Sequence, residues 1–146
     1  MTSTPKPVAF CCLAVLVALY VVGAVSHGSL RHEVQTLPLW IPIVLGFSRR
    51  ELAKWSALPC LIFWLAMMTL IWAFLLGWTS LISGHFSPVE VAMTMVIGVA
   101  SAVGTWMAFR WHTTVRWGAA LGTVVGAALF QLVAIRVSFL PGIADR

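Results

Sequence analysis

The side chains best suited to chemistry in this sequence are three histidines, His27, His32 and His112, with the carboxylate of Glu33 beside the first two. Imidazole and carboxylate together hold divalent metals. Their spacing gives that chemistry little support. No histidine pair stands at i, i+4, and no HExxH run places ligands on one helix face. None of the histidines sits deep in an apolar run opposite another, as a haem held between helices requires. They read instead as interfacial side chains, solvated or bonded to lipid headgroups, with His27, His32 and His112 kept as weak metal candidates. His85 is a lone loop residue.

Glu90 and Arg136 are the charged residues nearest to hydrocarbon, and intramembrane charges are functional suspects by default. A Glu90–Arg136 ion pair is one reading. The plainer one has Glu90 capping a helix and Arg136 snorkelling from near a helix end. Catalytic patterns are missing: there is no GxSxG elbow, Gly-rich phosphate loop or CxxC, and four carboxylates supply little general acid or base capacity. A self-contained enzyme is not expected, and whether a cofactor binds is left open by the sequence.

The elements that position these residues are set by composition. The chain has 146 residues, 61% hydrophobic and 9% charged, with mean hydropathy +1.00. Soluble domains carry roughly 25% charged residues, so this chain belongs in a bilayer. Four apolar windows, at about 8–25, 55–78, 89–109 and 117–140, each reach the ~17–25 residues that cross hydrocarbon as a helix. The expected fold is therefore an all-α, four-helix membrane bundle forming a single domain over 1–146. Its net charge of +5 is read as topological, with membrane lipid rather than nucleic acid as the partner.

Between the first two windows lies a long insert, 26–54. Ser48-Arg49-Arg50-Glu51 matches a capping box, which predicts a helix start near Arg49. Residues 37–47, LPLWIPIVLGF, are apolar but too short to span, and Pro42 should break any helix begun before it. That strip is expected to be interfacial, re-entrant or covered by a partner, with Leu37, Trp40, Ile41, Ile43 and Val44 as docking candidates. Ser87-Pro88-Val89-Glu90 is a second capping box.

Four spans would put both termini on one side. Counting basic residues, Arg31, Arg49, Arg50, Lys54, Arg110 and Arg116 face Lys6, Arg136 and Arg146 across the membrane, so the first group is expected inside. The termini are then non-cytoplasmic, in a bacterial inner membrane. Cys11 and Cys12 should lie in the opposite leaflet from Cys60, as free thiols.

The sharpest packing signal is Gly118-xxx-Gly122-xxx-Gly126, a glycine zipper on the fourth span. Gly98, Ser101, Ala102 and Thr105 form a small face on the third. Two readings stay open: an intramolecular hairpin of these helices, or a docking face for another subunit. The function expected is an accessory or scaffold subunit packed against other membrane subunits or a second copy, in a respiratory, photosynthetic or transport complex. The alternatives are a small oligomeric transporter lined by Ser101, Thr105, Thr123, Gln131 and Glu90, and a haem- or metal-binding redox protein.

Overall fold

A computed structural model describes residues 5–26, 29–81 and 84–144. All regular structure among the described residues is helical: α1 (Lys6–Val25), α2 (Ser29–Phe47), α3 (Leu52–Leu75), α4 (Pro88–Arg110), α5 (Trp117–Ser138) and the single turn α6 (Pro141–Ala144). As expected, four helices, α1, α3, α4 and α5, are long and apolar enough to cross a membrane, and they pack together. The chain is an integral membrane protein. Its outer surface carries large exposed apolar side chains such as Phe10, Ile62, Val99 and Leu129, which hydrocarbon accommodates and water would not.

The insert between the first two apolar windows differs from expectation. Residues 29–47 form one continuous helix with Pro38 and Pro42 inside it. At 1.5 Å per residue α2 is about 28 Å long, close to the thickness of a hydrocarbon core. Its buried positions, Gln35, Thr36, Pro38, Leu39, Pro42, Ile43 and Gly46, repeat at helical spacing and face α1, α3 and α5. Its other face, Leu37, Trp40, Ile41, Val44 and Phe47, is exposed and apolar. An interior proline costs an isolated helix about 3 kcal/mol, but both proline rings are fully buried here. Packing on three sides holds the backbone helical where local propensity alone would not.

With α2 continuous, the Ser48–Glu51 capping box does not form. Glu51 occupies the N-cap of α3 in helical geometry with no side-chain cap. The preceding residues instead close α2. Arg49 N–H donates to Gly46 O at 3.1 Å and Arg50 N–H to Leu45 O at 2.8 Å, with Arg49 at φ 56°. These are the two bonds of a Schellman motif, which normally places glycine at the left-handed position. Gly77 does so at the end of α3, at φ 77°, with Gly77 N–H to Phe74 O and Trp78 N–H to Ala73 O. Arginine at that position carries a Cβ penalty of about 1–2 kcal/mol. Arg49→Gly is accordingly expected to stabilise the folded protein by roughly 1 kcal/mol, read as a raised midpoint in denaturant unfolding from mixed micelles. An unchanged or lowered midpoint would argue against this turn geometry.

The Ser87 capping box is present as expected: Ser87 N–H donates to Glu90 Oε2 at 2.7 Å and Glu90 N–H to Ser87 Oγ at 3.3 Å. Proline at the first helical position completes the start of α4.

The helices alternate in direction, and side-chain contacts fix which ends meet. The end of α2 meets the start of α1: a methyl placed on Gly46 would stand 2.6 Å from Ala9 Cβ and 3.2 Å from Pro5 O, and Phe10 packs edge-on against Phe47. The start of α2 meets the end of α5, where Gln35 Nε2 donates to Ser138 Oγ at 3.0 Å. The start of α1 and the end of α5 therefore lie at opposite ends of the bundle. Four alternating spans alone would bring these two ends together; α2, which runs antiparallel to α1 beside the four long apolar helices, accounts for the difference. Cys12 and Cys60, both about two turns into helices that start from the same end, likewise share one half of the bundle; all three cysteines are free.

In section, α3 touches every other long helix, and α4, α1, α2 and α5 wrap around it in that order. The arc is open. Helices α4 and α5 make no contact, so their expected hairpin does not form.

Candidate functional site

The loop joining α4 to α5 explains why they stay apart. Residues 111–116 cross the start of α3 without regular structure and are tied down there by side chains of that helix. Buried Lys54 donates from Nζ to Trp111 O, Trp55 Nε1 donates to Thr113 Oγ1 at 3.2 Å, and Glu51 Oε2 accepts from Thr114 N–H and Oγ1 at 2.8 and 2.9 Å. Sequence reasoning missed this clamp, having assigned Glu51 to a local cap. It pins α4 and α5 on opposite flanks of α3.

The small residues thus serve different neighbours. On α4, Ser101 is fully buried, Gly98 lies against Met68 of α3, Thr105 is half-buried and Ala102 is exposed. The closest approach on this helix falls at Gly104, where an added methyl would stand 2.8 Å from Cys11 Cβ and 2.9 Å from Leu61 Cδ1. On α5 the stripe points the other way. A methyl added to Gly118, Gly122 or Gly126 would meet nothing within 4 Å. The buried residues of α5 are Ala120, Ala127, Gln131, Ala134 and Ser138, on the opposite side of the helix. Of the docking candidates on α2, Leu37, Trp40, Ile41 and Val44 are exposed as a docking face requires, but Ile43 is buried and packs inward.

The proposed transport path is not assembled within one chain. Ser101 on α4 and Gln131 on α5 lie on helices that do not touch, and Thr123 Oγ1 donates to Ala119 O within its own helix. Glu90 and Arg136 form no ion pair; Glu90 is bonded in its capping box and Arg136 is exposed. The histidines are separated as well. His32 lies beside Gly23, while His112 sits in the clamped loop at the other end of the bundle, so these two cannot share an ion. His27 lies outside the described residues. Among the described residues no three His, Cys, Asp or Glu side chains gather into a metal site.

One polar group stands out inside the bundle. Gln131 is 1% exposed, and neither Nε2 nor Oε1 has a hydrogen-bond partner. It lies two turns before Ser138, which places it level with Pro42, two turns after Gln35 on the antiparallel α2. Proline there leaves the Pro38 carbonyl without its helical donor. An unpaired buried amide costs about 1–3 kcal/mol. Replacing it with the apolar leucine, Gln131→Leu, is expected to stabilise the bundle by an amount in that range, about 1–3 kcal/mol. Unfolding in mixed micelles checks this, and a destabilised variant would show that the amide is bonded in the bilayer.

No family model matches the sequence, and neither the curated proteins nor the solved structures hold a match to it. The functional reading therefore rests on the residues themselves. What they assemble is a tightly packed interior, a clamped basic end, and an outward face of α5 on which Gly118, Gly122 and Gly126 meet nothing within 4 Å.

Proposed function

We propose that this protein is an accessory subunit of a larger assembly in a bacterial inner membrane, and that α5 supplies its docking face. The observation that carries the reading is the contrast among its glycines. Gly46 and Gly104 are spent on close helix contacts within the chain, while Gly118, Gly122 and Gly126 form an equally narrow stripe with open space beside it. In lipid no hydrophobic force draws helices together, so association depends on dispersion and close backbone approach, which such a stripe permits. Helix α5 also stands at one end of the open arc, contacting only α2, α3 and α6. The partner is another membrane subunit, or a second copy.

Orientation follows from the charges at the two ends. Lys6, Arg49, Arg50, Lys54, Arg110 and Arg116 share the clamped end, whereas Arg31 and Arg136 lie at the other. We take the first end as cytoplasmic by the positive-inside rule, with α2 crossing as a fifth span. The sequence count assigned Arg31 and Lys6 to the opposite sides from these; their exchange leaves the basic side equally rich. Helix α1 then starts at the inner side, and the five crossings end with α5 at the outer side.

Extraction in mild detergent tests the accessory role. A second polypeptide, or a second copy, held at fixed stoichiometry is the expected result. A stable monomer that carries nothing with it counts against the proposal.

A further inference from the structure

The face of α5 turned toward α3 has a different character from its glycine stripe, which lies roughly a third of a turn around the helix. Here Trp55, Leu58 and Ile62 of α3 oppose Trp117, Leu121 and Val124 of α5 across an apolar groove of about 420 Å³. Its long axis covers two helical turns, about 10 Å, starting at the two tryptophans and running into the membrane. Trp55 is a fixed wall, since its indole nitrogen is bonded to Thr113 Oγ1.

The groove opens at the basic end. Arg116 directly precedes Trp117, and Arg49 and Arg50 lead into α3; all three are exposed, and none forms an ion pair among the described residues. Among the acidic side chains of the described residues, Glu33, Glu51 and Glu90, only Glu51 stands at this end, and its carboxylate accepts from Thr114. Exposed cations therefore stand at the same end of the bundle as the two tryptophans that begin the apolar slot. A helix, ~10–12 Å across with its side chains, is too wide to enter a slot of this size, whereas the volume falls within the ~300–1,000 Å³ range of small-ligand pockets.

We propose that this groove binds one acyl chain of an anionic phospholipid, with the headgroup phosphate held by Arg116 and the Arg49–Arg50 pair. The tryptophans pack against the upper part of the chain, and the arginines select the headgroup charge. Binding at this groove would brace the side of the bundle where α4 and α5 leave α3 uncovered. The assignment stands apart from the docking role of the glycine stripe and survives its failure.

Tryptophan quenching by lipids brominated on their acyl chains tests it in the full chain reconstituted into bilayers. Brominated phosphatidylglycerol is expected to quench more strongly than brominated phosphatidylcholine at equal mole fraction. The excess should disappear in the Trp55→Phe/Trp117→Phe variant, with helicity by circular dichroism confirming that it is folded. Arg116→Gln should weaken the preference for the anionic lipid about fivefold, the scale set by one arginine at a membrane surface. Equal quenching by the two lipids would overturn the proposal. So would an excess that survives removal of both tryptophans, or a Trp55 and Trp117 signal that neither lipid quenches, which would mean that protein covers the groove.

Discussion

Replacing Gly104 or Gly46 by valine is expected to cost about 3 kcal/mol each, the upper part of the range for overpacking a filled interior. The first branch atom alone collides: at Gly104 it would lie 2.8 Å from Cys11 Cβ, and at Gly46 2.6 Å from Ala9 Cβ and 3.2 Å from the Pro5 carbonyl. Neither obstacle is a flexible tip that can swing aside at Gly46, because both belong to or adjoin backbone. The same change on α5 should behave differently. At Gly122 nothing lies within 4 Å, so Gly122→Ala should leave the isolated chain unharmed or stabilise it by about 0.5–1 kcal/mol through helix propensity. Reversible unfolding in mixed micelles measures all three. A Gly104→Val variant as stable as the parent would mean that α1, α3 and α4 do not pack as described.

The second large effect concerns topology and is all-or-none. With five crossings, Lys6 and Arg116 emerge on one face and Arg136 on the other; with four, Lys6 would share the face of Arg136. Single cysteines at these positions, in a background where Cys11, Cys12 and Cys60 are replaced by alanine, are therefore expected to sort as Lys6 with Arg116 when an impermeant maleimide is applied to intact cells or inverted vesicles. Co-labelling of Lys6→Cys and Arg136→Cys from one side would remove α2 from the membrane.

How much of this fold was legible in the sequence depends on which force set each part. The four apolar helices were legible because hydrocarbon demands long apolar runs, and the Ser87–Glu90 cap because it is a local exchange of hydrogen bonds. Helix α2 was hidden for two reasons. Its first turns carry Arg31, His32, Glu33 and Gln35, which shortens the apolar run to less than a span, and Pro38 with Pro42 lowers its local helical preference. Both are overcome by tertiary packing, which no local pattern reports. A signal was nonetheless present: Gln35, Leu39, Pro42, Ile43 and Gly46 keep helical spacing through the prolines.

The Ser48–Glu51 motif misled for a related reason. A capping box requires an extended chain before it, and here a helix precedes it, so the same four residues form a helix end and a tether to Thr114. Gln131 was noted in the sequence as a pore-lining candidate, but its isolation could be read only from the surroundings that three helices create. The glycine stripe was visible at once. Whether it faced inward was decided by the Lys54, Trp55 and Glu51 clamp on the α4–α5 loop, a set of contacts between residues 57 to 63 positions apart.

The accessory role requires that the outward face of α5 be occupied. The most direct measurement compares the mass of the detergent-solubilised assembly for the parent chain, for Gly122→Ile, and for Val99→Ile on the exposed face of α4. A Cβ at position 122 meets nothing within 4 Å, so isoleucine there fills the stripe from its open side, and the expected result is a folded monomer released from its assembly, while Val99→Ile stays assembled. An assembly that tolerates Gly122→Ile as well as Val99→Ile would contradict the docking role of α5.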